Sequence, residues 1–156
     1  MIKITIPGRG SYNFKHLVLD LNGTLALDGE IIEGVEDRLH QLSSLLSISI
    51  VTADTHGSAR RLEESLGIEI CRIESGKEDA QKLTLVQQLG KENTICIGNG
   101  SNDTSMLRES ALGICVVGQE GASVEAIMNS ALIVSDINDA LDLLLKPNRL
   151  IATLRR

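Results

Sequence analysis

The alternation of apolar, strand-like runs with segments of helical period predicts an α/β chain built on a three-layer, doubly wound parallel sheet. Two further observations point the same way. The strand-like runs, such as Leu17-Val18-Leu19 and Ile95-Cys96-Ile97, are continuously apolar, as strands buried on both faces are. Polar clusters follow directly on these runs at Asp20-Leu21-Asn22-Gly23-Thr24, Thr52-Ala53-Asp54 and Asn99-Gly100-Ser101-Asn102-Asp103. The carboxyl ends of strands are where open α/β sheets hold their ligands.

Taken in order, Ile2 to Ile6 alternates weakly and predicts a short edge strand, with Pro7-Gly8-Arg9-Gly10 as the loop before the central strand at Leu17. Asp28-Gly29 between apolar flanks predicts a hairpin over about residues 25–32, either a flap over Asp20 or a plain surface turn. Val35, Leu39, Leu42, Leu45 and Leu46 fall at helical spacing, with Glu36 and Asp37 in the first turn where the helix dipole favours acids. The period then switches for a strand over Ile48 to Thr52, followed by a helix around Ser58 to Leu66 closed by Gly67. Ile68 to Ile73 reads as a strand, and Lys77 to Leu89 as a helix headed by Lys82, with Leu83, Val86 and Leu89 facing inward. Thr94 to Gly98 is the next strand and about Thr104 to Ser110 the next helix. Gly113 to Gly118 and Ala131 to Val134 are strand-like, Ala122 to Asn129 is helical, and Ile137 to Leu145 is a final helix stopped by Pro147. Residues 146–156 then read as a basic tail, either an anion-binding or interface arm or a solvated end.

Composition narrows the function classes. With 156 residues and 42% hydrophobic content, a single domain without a large cap is expected. One Tyr, one Phe and no Trp leave no base-stacking surface, and a net charge of −6 offers no basic stripe, so nucleic acid is excluded as a partner. Cys71, Cys96 and Cys115 lie in apolar runs without metal-ligand spacing, and His16, His40 and His56 form no pair, which excludes a zinc centre. No run suggests a signal peptide or a membrane span, so the expected setting is the reducing cytoplasm, away from membranes.

The three strand ends can converge on one rim of the sheet, with Lys82 joining them from a helix end. That set holds a carboxylate nucleophile in Asp20, hydroxyls in Thr24 and Thr52, and a glycine, Gly23, whose N–H can approach an anion. It also holds an amine to offset phosphate charge and oxygen ligands for a hard cation. Phosphoryl transfer is the chemistry these residue types suit. A two-component receiver is discounted because one acid, not a pair, ends the first strand, and a dinucleotide site because no Gly-x-Gly-x-x-Gly follows it.

Four ordered blocks between Leu17 and about Val134 carry a family resemblance: Asp20-Leu21-Asn22-Gly23-Thr24-Leu25, Thr52-Ala53-Asp54, Lys82, and Gly98-Asn99-Gly100-Ser101-Asn102-Asp103. In them the chain resembles the haloacid dehalogenase superfamily of phosphohydrolases, and more narrowly a soluble form of the P-type ATPase phosphorylation domain. Thr52-Ala53-Asp54, Asn102-Asp103 with Met106-Leu107, and Leu112-Gly113-Ile114 carry the ATPase flavour. Without a membrane span, pumping is not expected. The resemblance implies that Asp20 attacks phosphorus, that Thr52 and Lys82 hold the phosphoryl oxygens with Gly23, Thr24, Ala53 and Asn102 around them, and that Mg²⁺ is the cofactor. The implied metal ligands are Asp20, the carbonyl of Asn22, Asn99 and Asp103, with Asp54 as an outer contributor.

Two positions depart from the family pattern. Asn22 stands where phosphatases of the superfamily carry a general acid and base, and Asn99 where they carry an acidic Mg²⁺ ligand. The first slows leaving-group protonation and the second weakens metal binding. Two readings follow. One is a slow Mg²⁺-dependent phosphohydrolase or phosphotransferase working through an aspartyl phosphate. The other is a catalytically weakened or inactive protein with a binding or regulatory role. The expected partner is a small phosphorylated substrate or a phosphorylated macromolecule, and an open site makes a homo-oligomer, with a neighbour covering the cleft, a further expectation.

Overall fold

A computed structural model describes residues 1–53 and 57–156. The chain begins with a hairpin, β1 (Ile2–Ile6) and β2 (Gly10–Phe14), before the first strand of the main sheet, β3 (His16–Asp20). A short hairpin of β4 (Ala26–Leu27) and β5 (Glu30–Ile31) precedes α1 (Val35–Ser43), β6 (Ser47–Thr52), α2 (Ser58–Leu66), β7 (Glu69–Arg72) and α3 (Glu78–Leu89). The second half runs β8 (Thr94–Gly98), α4 (Thr104–Glu109), β9 (Leu112–Val116), α5 (Val124–Met128), β10 (Leu132–Val134), α6 (Ile137–Leu145) and α7 (Pro147–Leu154).

The main sheet has six strands in the order β10-β9-β8-β3-β6-β7, all paired in parallel. From β3 the chain winds outward through β6 and β7, then returns to β8 on the other side of β3 and winds outward again. The reversal between β3 and β8 is the switch point, where a crevice opens between diverging connections. Asp20 ends β3 and Gly98 ends β8 at this crevice.

Strand parity decides which face each side chain meets. Leu17 and Leu19, with Ile48, Ile50, Ile95 and Ile97, pack into the larger core with α1, α2, α6 and α7. Val18, Val51, Cys96 and Cys115 face the other way, into a smaller core with Val86, Met106, Leu107 and Ala126. The smaller residues let α3 and α4 lie close to the sheet. Asp20 shares the parity of Val18 and therefore points to the α3 side.

Three expectations need correction. Ile2 to Ile6 is not an edge strand of the main sheet: it pairs antiparallel with β2, inside the stretch read as a loop, where alternation puts Tyr12 and Phe14 on one face with ring centroids 5.5 Å apart. The helix α6 is not the last. Pro147 opens α7, because a residue without an N–H suits the first turn of a helix as well as it ends a preceding one, and Leu150 and Leu154 bury one helical stripe. The tail is thus no solvated end; Arg156 donates its N–H to the Pro7 carbonyl at 3.0 Å. In α3 the buried line is Lys82 and Val86 with Leu85 and Leu89 packed beside them, while Leu83 is only half-buried.

Asp28 and Gly29, at φ 52° and 82°, close the β4–β5 hairpin, a turn whose positive φ values match the strand twist. Among the described residues no helix is long and apolar enough to cross a membrane.

Candidate active site

At the crevice, Lys82 reaches up from α3 and donates to two carboxylates at once, Asp20 Oδ1 at 2.8 Å and Asp103 Oδ1 at 2.6 Å. All three are buried, with 7% of Asp20, 1% of Lys82 and none of Asp103 exposed. Burying one ammonium between two carboxylates costs desolvation that their attraction must offset, so the triad is weak evidence for stability and stronger evidence for a purpose. Asp103 takes its remaining oxygen into the loop, where Oδ2 accepts the N–H groups of Asn99 at 3.0 Å and Gly100 at 2.9 Å. Gly98 makes room for this: a Cβ there would lie 2.5 Å from the Asp103 carboxyl.

The electrostatics follow from that packing. Burial, with the neighbouring Asp103 charge, pushes the Asp20 carboxyl up to about 7 against the opposing pull of Lys82. Burial alone would lower Lys82, but the two carboxylates outweigh it and raise the ammonium above its usual range. Cys96, by contrast, is pushed up to about 12 by burial and is an inert thiol.

The remaining residues ring Asp20. Asn22, Thr52, Ala53, Asn99, Gly100 and Asn102 line with it a polar cavity of about 230 Å³. Thr24 is fully buried and donates to Asn99 Oδ1 at 3.2 Å and, at 3.4 Å, to Asp20 Oδ2. Gly23 departs from its expected part. Its N–H donates to the Ala26 carbonyl at 2.8 Å and is not offered to an anion, because the chain turns sharply there at φ 78°. Asp103 also sits otherwise than a direct metal ligand would, one layer behind Asp20 with both oxygens on protein donors. Asp54 lies outside the described residues. Glu78 and Glu120 line the cavity too and were not singled out from the sequence. Glu120 follows the carboxyl end of β9 between Gly118 and Gly121, the same strand-end logic that marks Asp20.

Among the described residues the cavity lining contains carboxylate, amide and hydroxyl oxygens but neither Cys nor His, a donor set that suits a hard cation and not a transition metal. Among the described residues no group of three or more His, Cys, Asp or Glu is gathered as a ready metal cage. A cation that keeps waters and takes few protein ligands is the one this lining fits.

Residues 65–142 of the 156 match the sequence model of the haloacid dehalogenase-like hydrolases. The chain belongs to this family. The matched span of this haloacid dehalogenase-like protein holds Lys82 and the Asn99–Asp103 loop, and the geometry ties Asp20 to both. An uncharacterised protein of Methanocaldococcus jannaschii is 49% identical over 92 residues, 56% of this chain and 99% of that one. A soluble P-type ATPase-like phosphatase of the same organism is 27% identical over 123 residues, covering 77% of this chain but 45% of the relative. Among solved structures, 3-deoxy-D-manno-octulosonate 8-phosphate phosphatase from Moraxella catarrhalis, in complex with magnesium ion, phosphate ion and KDO, superposes with a TM-score of 0.66. It is 24% identical and the match covers 91% of this chain and 94% of that one, a likeness of fold.

Proposed function

We propose that this protein is a Mg²⁺-dependent phosphohydrolase or phosphotransferase in which Asp20 forms an aspartyl phosphate. The observation that carries the reading is the Asp20–Lys82–Asp103 triad, whose one accessible member, Asp20, stands at the floor of an open polar cavity.

The Asp20 carboxylate attacks phosphorus and the bond from phosphorus to the leaving oxygen breaks, giving an acyl phosphate on Asp20 and the freed leaving group. Water then attacks the same phosphorus, the phosphorus–Asp20 bond breaks, and phosphate departs with the carboxylate restored. Lys82 counters the charge of the phosphoryl oxygens, with Thr52, Ala53, Asn102 and Thr24 around them. Asp103 acts as a positioning residue, fixing Lys82 and the loop beneath it. Asp20, the Asn22 carbonyl and Asn99 would hold Mg²⁺, which when bound supplies positive charge that favours the ionised carboxylate and offsets the substrate's own. Asn22 is exposed and has no proton to give and recover, so leaving groups that are already weak bases, as in acyl phosphates and phosphoanhydrides, are favoured.

The purified protein, incubated with Mg²⁺ and acetyl phosphate, para-nitrophenyl phosphate or ATP, is expected to release phosphate from at least one, and Asp20→Ala from none. Equal rates for the two proteins on all three would reject the reading.

A further inference from the structure

We infer that Glu120 supplies the cation-facing carboxylate that the end of β8 lacks, with Asn99 as the strap that holds it over the site. The inference rests on the reading of Asp20 as a Mg²⁺-assisted nucleophile.

Among the described residues, one motif carboxylate faces the cavity. Asp103 is fully buried and both its oxygens accept hydrogen bonds from Lys82, Asn99 and Gly100, which leaves Asp20. A hard cation of this kind is held by one or two carboxylates besides its waters and the substrate phosphate, so one acid more completes a usual set. Of the two further acids in the lining, Glu78 and Glu120, Glu120 is the one that stands beside Asn99. It lines the same cavity as Asp20, Asn22 and Asn99, and a side chain at Gly23 would collide with the Glu120 carboxylate and lie 2.7 Å from Asn99 Nδ2. Glu120 and Asn99 therefore meet over the backbone of Gly23, immediately after the Asn22 carbonyl.

Asn99 is bound in a way that an aspartate would not reproduce. Its Nδ2 donates to the Gly121 carbonyl at 3.1 Å, its carbonyl Oδ1 accepts from Thr24 at 3.2 Å, and its main-chain oxygen accepts the Ser123 N–H at 2.8 Å. The first of these needs a donor, and it pins the peptide next to Glu120. An aspartate at 99 would face the Gly121 carbonyl with a lone pair and set a second negative charge beside Glu120. A neutral donor at 99 and a carboxylate at 120 thus form a matched pair, with the acid standing after β9 and the amide after β8. Ion pairs among the described residues do not engage Glu120, so its carboxylate is left for the cavity.

Isothermal titration of Mg²⁺ into wild type, Asp20→Ala, Glu120→Gln and the double variant Asn99→Asp with Glu120→Gln tests this. Glu120→Gln is expected to weaken Mg²⁺ binding by about tenfold, the usual effect of disturbing a metal's ligand set, and the double variant to recover most of that loss. Glu120 is exposed, so the metal-free melting temperature of Glu120→Gln should match wild type and exclude a folding defect. Binding by Glu120→Gln equal to wild type, while Asp20→Ala binds weakly, would overturn the role of Glu120 and leave the nucleophile reading standing. A wild type that binds no Mg²⁺, or an Asp20→Ala that binds as well, would overturn both.

Discussion

Two cavities flank the loop after β3, one lined by Asp20 and Asn22 and the other by Gly23 and Thr24, and they differ in kind. One, of about 230 Å³, is floored by Asp20 and Lys82 and lined by amides, hydroxyls and acids. The other, of about 310 Å³, lies between the β4–β5 hairpin and the loop after β9, walled by Ala26, Leu27, Ile32, Val116, Val117 and Ile137. Its polar lining residues, Gln119, Ser135 and Asp136 among them, form no buried triad of charges, and Asp136 accepts the Asn138 N–H at the start of α6. Chemistry is thus concentrated where polar groups are buried against one another, and volume does not mark the place. The two differ because the strand ends of β3 and β8 part at the switch point, while the hairpin side is a packed extension of the larger core.

The largest break in this contrast is expected from Lys82→Met. It leaves two carboxylates buried without their cation, so turnover should fall by about 10²–10³-fold and stability by on the order of 3 kcal/mol at pH 8. The stability loss should shrink in acid, where Asp20 takes up a proton; thermal melts at pH 5 and pH 8 measure it. Asn22→Asp works the other way. By placing a proton donor at the cavity it should raise turnover of para-nitrophenyl or alkyl phosphates by about 10²-fold, with little gain on acetyl phosphate, in steady-state assays on both substrate types.

The pH response comes next. Because burial pushes Asp20 up to about 7, the ionised nucleophile fades below that pH, and the rate at limiting Mg²⁺ should rise with pH to a midpoint near 7. Saturating Mg²⁺ should move the midpoint down. For stability the sign is reversed: a carboxyl raised in the folded state stabilises below its ordinary value of 3.8, and that contribution is lost as pH climbs towards about 7. Metal-free wild type should accordingly lose melting temperature relative to Asp20→Asn over this window. The smallest effect is expected from Val117→Trp, which crowds the apolar cavity alone; acetyl phosphate hydrolysis should stay within about twofold, since uniform positioning at Asp20 is untouched.

Much of this was legible in the chain. Leu17-Val18-Leu19 followed by Asp20 announces a buried strand ending in a reactive group, and Lys82 stands out as a cation heading an apolar helical stripe. What misled was local chemistry with two meanings. Pro147 both ends α6 and opens α7, and only the burial of Leu150 and Leu154 decides for a helix. Gly23 has the freedom to present its N–H to an anion, yet the tight turn to Ala26 claims that donor. Glu120 carried the weakest signal, one acid in a glycine-flanked loop.

By itself the sequence determined the winding of the sheet, the ends at which polar residues collect, and that amides, not acids, stand at positions 22 and 99, because period, turn residues and side-chain chemistry are local properties. Tertiary structure alone decided that Asp103 holds Lys82 and not the cavity, that Asn99 straps the loop after β9, and that Glu120 meets it over Gly23. These contacts join separate elements, 21 positions apart for Lys82 with Asp103 and 22 for Asn99 with Gly121, and the site also spans 62 positions for Asp20 with Lys82 and 75 for Thr24 with Asn99. Such a partner is chosen by packing across the switch point, and no stretch of the chain contains the information on its own.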